Sequence, residues 1–316
     1  MTRTPTLAFV FPGQGSQSLG MLAGLAESNA VVRDTFAEAS EGAGVDLWSL
    51  AQAGPDDQLN RTEFTQPALL AAGIAVWRLW QLNNGAQPSI LAGHSLGEYS
   101  ALVAAGSLSL VDGARLVRRR GQLMQEAAPA GTGGMAAVLG ADDAVVQQAC
   151  IDASGDEVVV PANYNSPGQI VIGGHAGAVD RAIALLAERG VRKAVKLAVS
   201  VPSHTPLMRG AAEQLGAVMA AMRWDEPSVP VVQNVDAGIH EGTVAIRDAL
   251  MRQLYLPVQW TGCVQALAGR GITQIAECGP GRVLTGLAKR IDKSLDAAAL
   301  GTPDEFNTAR QQWSHA

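Results

Sequence analysis

The sequence predicts a layered α/β protein, in which helices cover both faces of a mostly parallel sheet and a small ferredoxin-like domain is inserted. Three observations support this fold class. Short apolar runs bounded by turn residues alternate with helical segments along most of the chain. A strand, the pattern Gly-x-Ser-x-Gly and a helix follow one another at 89–105. From 130 onward the order of predicted elements changes to βαββαβ.

The first elements in chain order surround a Gly-rich turn. The apolar run 7–11 predicts a buried parallel strand, and 22–40 and 66–82 predict helices. The turn at 12–17 lacks the glycine at 18 of a dinucleotide loop and the Gly-Lys-Ser/Thr of a phosphate loop. Its small residues either bring backbone N–H groups close to a reacting oxygen or form a tight turn with no further role.

The central motif is Gly93-His94-Ser95-Leu96-Gly97. Between a strand and a helix, this pattern is typical of a nucleophile elbow, a sharp turn that exposes a serine hydroxyl at the start of a helix. We therefore interpret Ser95 as a nucleophile, which then needs a base to take its proton.

The helix predicted at 111–127 carries an arginine on its apolar face. Arg120 falls in the stripe formed by Leu116, Leu123 and Met124. A guanidinium in such a place needs an anionic partner, because unpaired burial costs several kcal/mol. The partner is either a structural Asp or Glu or the carboxylate of a substrate, and the spacing leaves both possibilities open.

The second half of the chain first leaves the large domain and then returns to it. We assign 130–198 to the small ferredoxin-like domain, and 1–129 with 199–316 to the large catalytic domain. After the loop 200–206, helices are predicted at 207–222, 243–254, 258–269 and 282–292, with strands at 229–232 and 272–276. The tail after Pro303 is expected to fray.

His204 is the leading candidate for the base by elimination among five histidines. It lies in a loop stiffened by Pro202 and Pro206, where the chain re-enters the large domain and where a cleft is expected. The alternative is a hydrogen-bonded loop histidine without a catalytic role. The others are adjacent to the nucleophile, in predicted loops or turns, or in the tail: His94, His175, His240 and His315. No acid that would complete a triad stands out.

Composition narrows the function classes. The chain has 316 residues, of which 47% are hydrophobic, and a formal net charge of −6, so a large core is possible and a nucleic-acid partner is not expected. Three separated cysteines fit a reducing, cytoplasmic compartment. No apolar run is long enough to cross a membrane, and we expect no metal site and no bound cofactor.

The motifs together resemble the malonyl-CoA:acyl-carrier-protein transacylase family of bacterial fatty acid synthesis, over nearly the whole chain. The matching segments are 9–17, 66–68, 93–102, 120–121, 165–169, 200–204, 252–255, 257–260 and 277–281. The resemblance implies a hydrolase-like large domain with a ferredoxin-like insert. It also implies malonyl-CoA and acyl carrier protein as partners and transfer through malonyl-Ser95. The protein is expected to be a monomer.

The resemblance also implies roles for individual residues. His204 is the base, the backbone N–H groups of Gln14 and Leu96 form the oxyanion hole, and Arg120 binds the malonyl carboxylate. The backbone carbonyl of Gln253 orients the histidine, which accounts for the absent acid. Many acyltransferases have Phe before the histidine where this chain has Ser203, a position near the acyl pocket, and this departure leaves the strictness of malonyl selectivity open.

Because acyl carrier proteins of this kind are acidic, docking is expected to use a basic patch. The candidate clusters are Arg118 with Arg119, Arg189 with Arg192 and Lys193, and Lys289 with Arg290. Three rival functions remain: a serine hydrolase, a non-catalytic module that binds a carrier protein or a nucleotide, and the same chemistry in polyketide or malonate metabolism.

Overall fold

The computed structural model describes residues 6–129, 131–199 and 201–313. These residues form two sheets. The strands are β1 (Thr6–Phe11), β2 (Ile90–Gly93), β3 (Gly133–Leu139), β4 (Val159–Ser166), β5 (Gln169–His175), β6 (Lys193–Lys196), β7 (Val231–Val232), β8 (Ile272–Glu277) and β9 (Asp296–Ala299).

Helices connect and cover the strands. They are α1 (Ala23–Ser28), α2 (Ala30–Ala43), α3 (Leu47–Ala53), α4 (Asp56–Leu59), α5 (Thr62–Leu82), α6 (Leu96–Ala104), α7 (Leu110–Ala127), α8 (Asp143–Ser154), α9 (Ala176–Glu188), α10 (Arg209–Ala220), α11 (Thr243–Gln253), α12 (Trp260–Gly269), α13 (Val283–Ile291) and α14 (Pro303–Trp313). A short 3-10 turn, Pro206–Met208, precedes α10.

The larger sheet is parallel and has the strand order β7-β2-β1-β8-β9. Successive side chains of its central strand β1 point to opposite faces. Phe9 packs on Trp77 and Trp80 of α5, with ring centroids 5.3 and 5.4 Å away. Val10 belongs to a second apolar cluster, which contains Trp260 of α12. Both faces of the sheet are therefore covered by helices, as the sequence predicts.

The smaller sheet is antiparallel and has the order β4-β5-β3-β6. Helices α8 and α9 pack on it through an apolar cluster that includes Val138, Ile172, Val146 and Leu186. Its strands lie within the predicted segment 130–198, and the order βαββαβ is the predicted one. Ala130, the first residue of that segment, and Ser200, two residues after its end, lie outside the described residues.

Strand β4 ties the two sheets together. The backbone N–H of Tyr164 donates to the Val258 carbonyl, and the Val258 N–H donates to Ala162, both at 2.9 Å. Because Val258 lies between α11 and α12 of the large part, this contact fixes the smaller sheet beside the carboxyl edge of the parallel sheet.

The predicted fraying after Pro303 is wrong for the described residues. Helix α14 continues to Trp313, whose indole is fully buried. Trp80 lies with its ring centroid 5.7 Å from that of Phe306 and 6.3 Å from that of Trp313. The tail is held because two large aromatic side chains on one face of a polar helix fill the core. His315 lies outside the described residues.

Candidate active site

Ser95 lies at the carboxyl edge of the parallel sheet, between β2 and α6. Its backbone has φ 52° and ψ −105°, a conformation that costs a non-glycine residue about 1 to 3 kcal/mol and needs support from its surroundings. Asn234, two residues after β7, supplies that support. Its Oδ1 accepts from the Ser95 N–H, and its Nδ2 donates to the Gly93 carbonyl, each at 2.7 Å. These two bonds hold the elbow from the neighbouring strand.

The two glycines of the motif permit close backbone contact. A Cβ on Gly97 would overlap the carbonyl oxygen of Phe11, and one on Gly93 would overlap the backbone of Gly97. The start of α6 can therefore lie directly against the end of β1. The N–H of His94 also donates to the Phe11 carbonyl at 3.0 Å.

Among the histidines that the structure describes, His204 is the one that contacts Ser95. Its Nε2 lies 2.7 Å from Ser95 Oγ, and its Nδ1 lies 2.7 Å from the Gln253 carbonyl oxygen. A carbonyl oxygen only accepts hydrogen bonds, so Nδ1 carries the proton and Nε2 presents a lone pair to the serine. Burial, together with the charge of Arg120, lowers the pKa of His204 to about 3. The ring is therefore neutral at physiological pH and can accept a proton.

The other histidines of the described residues have different partners. His94 Nε2 lies 2.8 Å from Asn165 Oδ1, and His175 Nδ1 accepts from the Val158 N–H at 2.9 Å. His240 lies 3.1 Å from the Asp236 carboxylate. None of these contacts involves Ser95, so the elimination that favoured His204 agrees with the geometry.

Arg120 lies beside Ser95, buried on α7 and 1% exposed. Its Nη1 donates to Gln66 Oε1 at 2.9 Å, while Nη2 donates to Gln253 Oε1 at 3.1 Å and to Ser95 Oγ at 3.2 Å. All three acceptors are neutral, and its Nε has no partner among the described residues. Burial lowers the pKa of Arg120. A structural Asp or Glu in direct contact is thus not the partner that the sequence left open.

The two predicted oxyanion donors flank Ser95. Leu96 is the first residue of α6, so its N–H lies at the free N-terminus of the helix. Gln14 lies in the turn after β1 and is exposed. A Cβ on neighbouring Gly13 would lie 2.6 Å from the His94 carbonyl oxygen, which shows how closely this turn packs on the elbow. The backbone N–H groups of Gln14 and Leu96 thus belong to segments on either side of the serine.

Three polar side chains of the site received no role from the sequence. Gln66 binds Arg120, Asn234 holds the elbow, and Glu98 is fully buried below it. A carboxylate within the apolar helix after the motif was a signal for Glu98. Asn234 carried no signal, because it follows a strand of only two residues, Val231–Val232.

No helix among the described residues is long and apolar enough to cross a membrane. Within the same part of the chain, no group of three or more His, Cys, Asp or Glu side chains is arranged to hold a metal ion.

Comparison with known proteins gives concordant results. A family model described as an acyl transferase domain matches residues 8–300. The malonyl CoA-acyl carrier protein transacylase of Salmonella typhimurium is 53% identical over 96% of this chain and 99% of its own length. The protein of the same name from Bacillus subtilis is 42% identical over 96% of both chains.

Solved structures show similarity to proteins of the same kind. The malonyl-CoA:acyl carrier protein transacylase of Xanthomonas oryzae has a TM-score of 0.97 and 73% identity, covering 99% of both chains. A malonyl-transacylase solved in complex with a type II polyketide acyl carrier protein has a TM-score of 0.96 and 51% identity, covering 97% of this chain and 99% of its own.

Proposed function

The chain belongs to the malonyl-CoA:acyl-carrier-protein transacylase family of acyltransferases, and from that premise we propose how it works. It moves a malonyl group from malonyl-CoA to the pantetheine thiol of acyl carrier protein, for fatty acid synthesis. The transfer is a ping-pong reaction through malonyl-Ser95.

One observation carries this proposal: Arg120 Nη2 lies 3.2 Å from Ser95 Oγ, and the partners of the guanidinium are neutral. An acyl group on Ser95 that ends in a carboxylate reaches this cation. A planar guanidinium can bind such a carboxylate through two parallel hydrogen bonds. The site thus favours a short acidic acyl group over an uncharged one.

In the first half-reaction, Ser95 Oγ attacks the thioester carbonyl of malonyl-CoA while its proton passes to His204 Nε2. The oxygen of the tetrahedral intermediate accepts hydrogen bonds from the N–H groups of Gln14 and Leu96, each worth about 3 to 4 kcal/mol. The C–S bond then breaks, the proton returns from His204 to the sulfur, and CoA leaves as a thiol.

In the second half-reaction, the pantetheine thiol of acyl carrier protein gives its proton to His204 and attacks the malonyl-Ser95 ester. The same oxyanion hole holds the intermediate. The C–O bond breaks, and the proton returns to Ser95 Oγ. The Gln253 carbonyl keeps the ring in one tautomer throughout, as a triad carboxylate would, but without a full negative charge. Every step uses protein groups, so the proposal includes no bound cofactor.

We also propose that the chain forms two domains. The parallel sheet with its strand–serine–helix elbow supports a hydrolase-like large domain, 1–129 with 199–316. The antiparallel order β4-β5-β3-β6 with two helices supports a ferredoxin-like small domain, 130–198. The site lies where the two meet.

Isotope exchange tests the ping-pong route. Incubated with malonyl-CoA and labelled CoA but without carrier protein, the enzyme should produce labelled malonyl-CoA, because the first half-reaction runs alone and is reversible. Ser95→Ala should produce none. Absence of exchange in the unchanged protein, with transfer to the carrier intact, would contradict a covalent malonyl-enzyme.

A further inference from the structure

Glu98 is a buried carboxyl group that the proposed chemistry does not use. It lies in the first turn of α6, three residues after the nucleophile, and is 0% exposed. Its Oε2 accepts from Gln253 Nε2 and from the Asn234 N–H, both at 2.9 Å. Its Oε1 has no partner among the described residues. An ionised carboxylate in this place is costly unless a positive charge compensates it.

The side chain of Gln253 lies between this carboxyl group and the arginine. Its Nε2 donates to Glu98 Oε2 at 2.9 Å, and its Oε1 accepts from Arg120 Nη2 at 3.1 Å. The negative and positive groups are thus linked through one amide and do not touch. A direct ion pair would occupy the guanidinium, whereas this arrangement leaves Nη2 within reach of Ser95 Oγ.

Charged and titratable groups face Glu98 from each element packed around it. The charge of Arg120 on α7 lowers the pKa of Glu98, and that of Asp236 after β7 raises it. Cys263 of α12 and Tyr99 of its own helix also interact with it. Across the elbow, His204 is neutral at physiological pH. Arg120 is thus the cation that compensates Glu98.

A second carboxylate changes this balance. When the acyl carboxylate of the substrate binds to Arg120, two buried anions share one cation, and the system can relieve the repulsion by protonating Glu98. Burial already raises the pKa of Glu98 to about 7, so the group is about half protonated at pH 7 and a further rise of the pKa completes its protonation. A neutral Glu98 also removes a negative charge from the turn whose N–H groups face the oxyanion.

Building on the proposed function, we propose that Glu98 is the internal counter-charge of Arg120 and becomes protonated from solvent when the carboxylate of malonyl-CoA binds. The proton adds to a carboxylate oxygen of Glu98, and no other bond changes. Glu98 touches no reacting atom, so its role is to set the charge balance of the site.

Proton uptake makes binding depend on pH in a defined direction. Substrate binding raises the pKa of Glu98, so malonyl-CoA binds most tightly below pH 7. Its Kd should rise roughly tenfold between pH 7 and pH 8.5. Acetyl-CoA carries the same CoA phosphates without the acyl carboxylate and should lack this part of the pH dependence.

Calorimetry measures the uptake directly. We would titrate malonyl-CoA into Ser95→Ala at pH 7, in two buffers that differ in ionisation enthalpy, with acetyl-CoA as the control. The expected excess for malonyl-CoA is roughly half a proton per site. In Ser95→Ala with Glu98→Gln, the excess and the steep part of the pH dependence should both disappear.

The outcomes are distinguishable. Tight malonyl-CoA binding without excess proton uptake overturns the role of Glu98 and leaves the proposed function standing. Uptake that persists in the double variant assigns the proton to another group, such as His204, and overturns it as well. Should the double variant fail to fold, a Kd for malonyl-CoA that follows that of acetyl-CoA from pH 6 to 8.5 in Ser95→Ala decides against the inference. No malonyl-CoA binding at all overturns the proposed function too.

Discussion

At the scale of single residues, the site depends on the charge states of buried polar groups. His204 is neutral because it is buried near Arg120, and Arg120 remains a cation with neutral hydrogen-bond partners. The sequence motifs indicated Ser95 and His204, and helical periodicity placed Arg120 on a buried face. Asn234 and Glu98 could not be assigned roles from sequence, because their importance comes from hydrogen bonds to residues more than 130 positions away.

Substitution of Arg120 tests its proposed contact with the malonyl carboxylate. Arg120→Ala should lower kcat/KM for malonyl-CoA by roughly 30- to 5,000-fold, since losing a buried charge partner costs about 2 to 5 kcal/mol. Arg120→Lys should recover only part of this, because an ammonium cannot form the paired hydrogen bonds. Arg115→Ala, on the exposed side of the same helix, is the control. If Arg120→Ala keeps its preference for malonyl-CoA over acetyl-CoA, the assignment is wrong.

The raised pKa of Glu98 predicts that the stability of the folded protein depends on pH. Its pKa is about 7 in the folded protein and near 4.5 when unfolded, so the folded state holds more protons between these values. Its contribution to stability is fully present below pH 4.5 and is lost as pH rises through 7. In denaturant unfolding, the free energy of unfolding of Glu98→Gln relative to that of the unchanged protein should therefore increase from pH 5 to pH 8, by on the order of 2 kcal/mol. A pH-independent difference between the two proteins would show that Glu98 has no raised pKa.

At the scale of elements, the elbow works because β1, β2 and α6 approach one another without side chains between them. Hydrophobic runs and glycine positions predicted these elements well, since buried parallel strands and an elbow leave clear patterns. Hydrophobic periodicity did not predict two elements whose formation depends on tertiary contacts, α14 and β9. Helix α14 is largely polar and is held by Phe306 and Trp313, while β9 contributes only Asp296–Ala299 at the sheet edge. Neither has a strong local pattern.

A pair of glycine substitutions tests the close contact. Gly97→Ala should destabilise the protein by about 3 kcal/mol or more and abolish acylation, because its Cβ overlaps the Phe11 carbonyl oxygen. Gly286→Ala in α13 meets nothing within 4 Å, so it should be neutral or stabilising by up to about 1 kcal/mol. Urea unfolding compares the two. Equal stability of both variants would contradict the close approach at the elbow.

At the scale of the whole molecule, the active site draws on distant parts of the chain. The adjacent parallel strands β1, β2 and β7 are followed by Gln14, Ser95 and Asn234. These residues lie close together because parallel strands end at one edge of the sheet. His204 and Gln253 belong to segments that follow the smaller sheet in the chain. Pattern reasoning predicted the βαββαβ order of the elements that form the smaller sheet. It predicted neither the strand order of the parallel sheet nor the contact of β4 with Val258, since both depend on long-range packing.

Docking of acyl carrier protein is expected to use exposed basic residues on the surface of the molecule. Of the basic clusters, Arg119 pairs with Glu126 and Arg189 with Asp152. Arg192 and Lys193 are exposed, and neither takes part in an ion pair within the described ranges. Reversing both to Glu should raise KM for acyl carrier protein about tenfold at low salt and keep kcat, because surface charge chiefly steers association. Arg270→Glu, exposed and outside these clusters, is the control. An unchanged KM would exclude this patch.

The most direct test of the whole account is the intact mass of the protein after brief mixing with malonyl-CoA. One malonyl adduct is expected on the unchanged protein and none on Ser95→Ala. The adduct should persist in water and disappear when acyl carrier protein is added. Release of free malonate without an adduct would contradict the account and indicate a hydrolase. An adduct that remains on Ser95→Ala would show that another residue is the nucleophile.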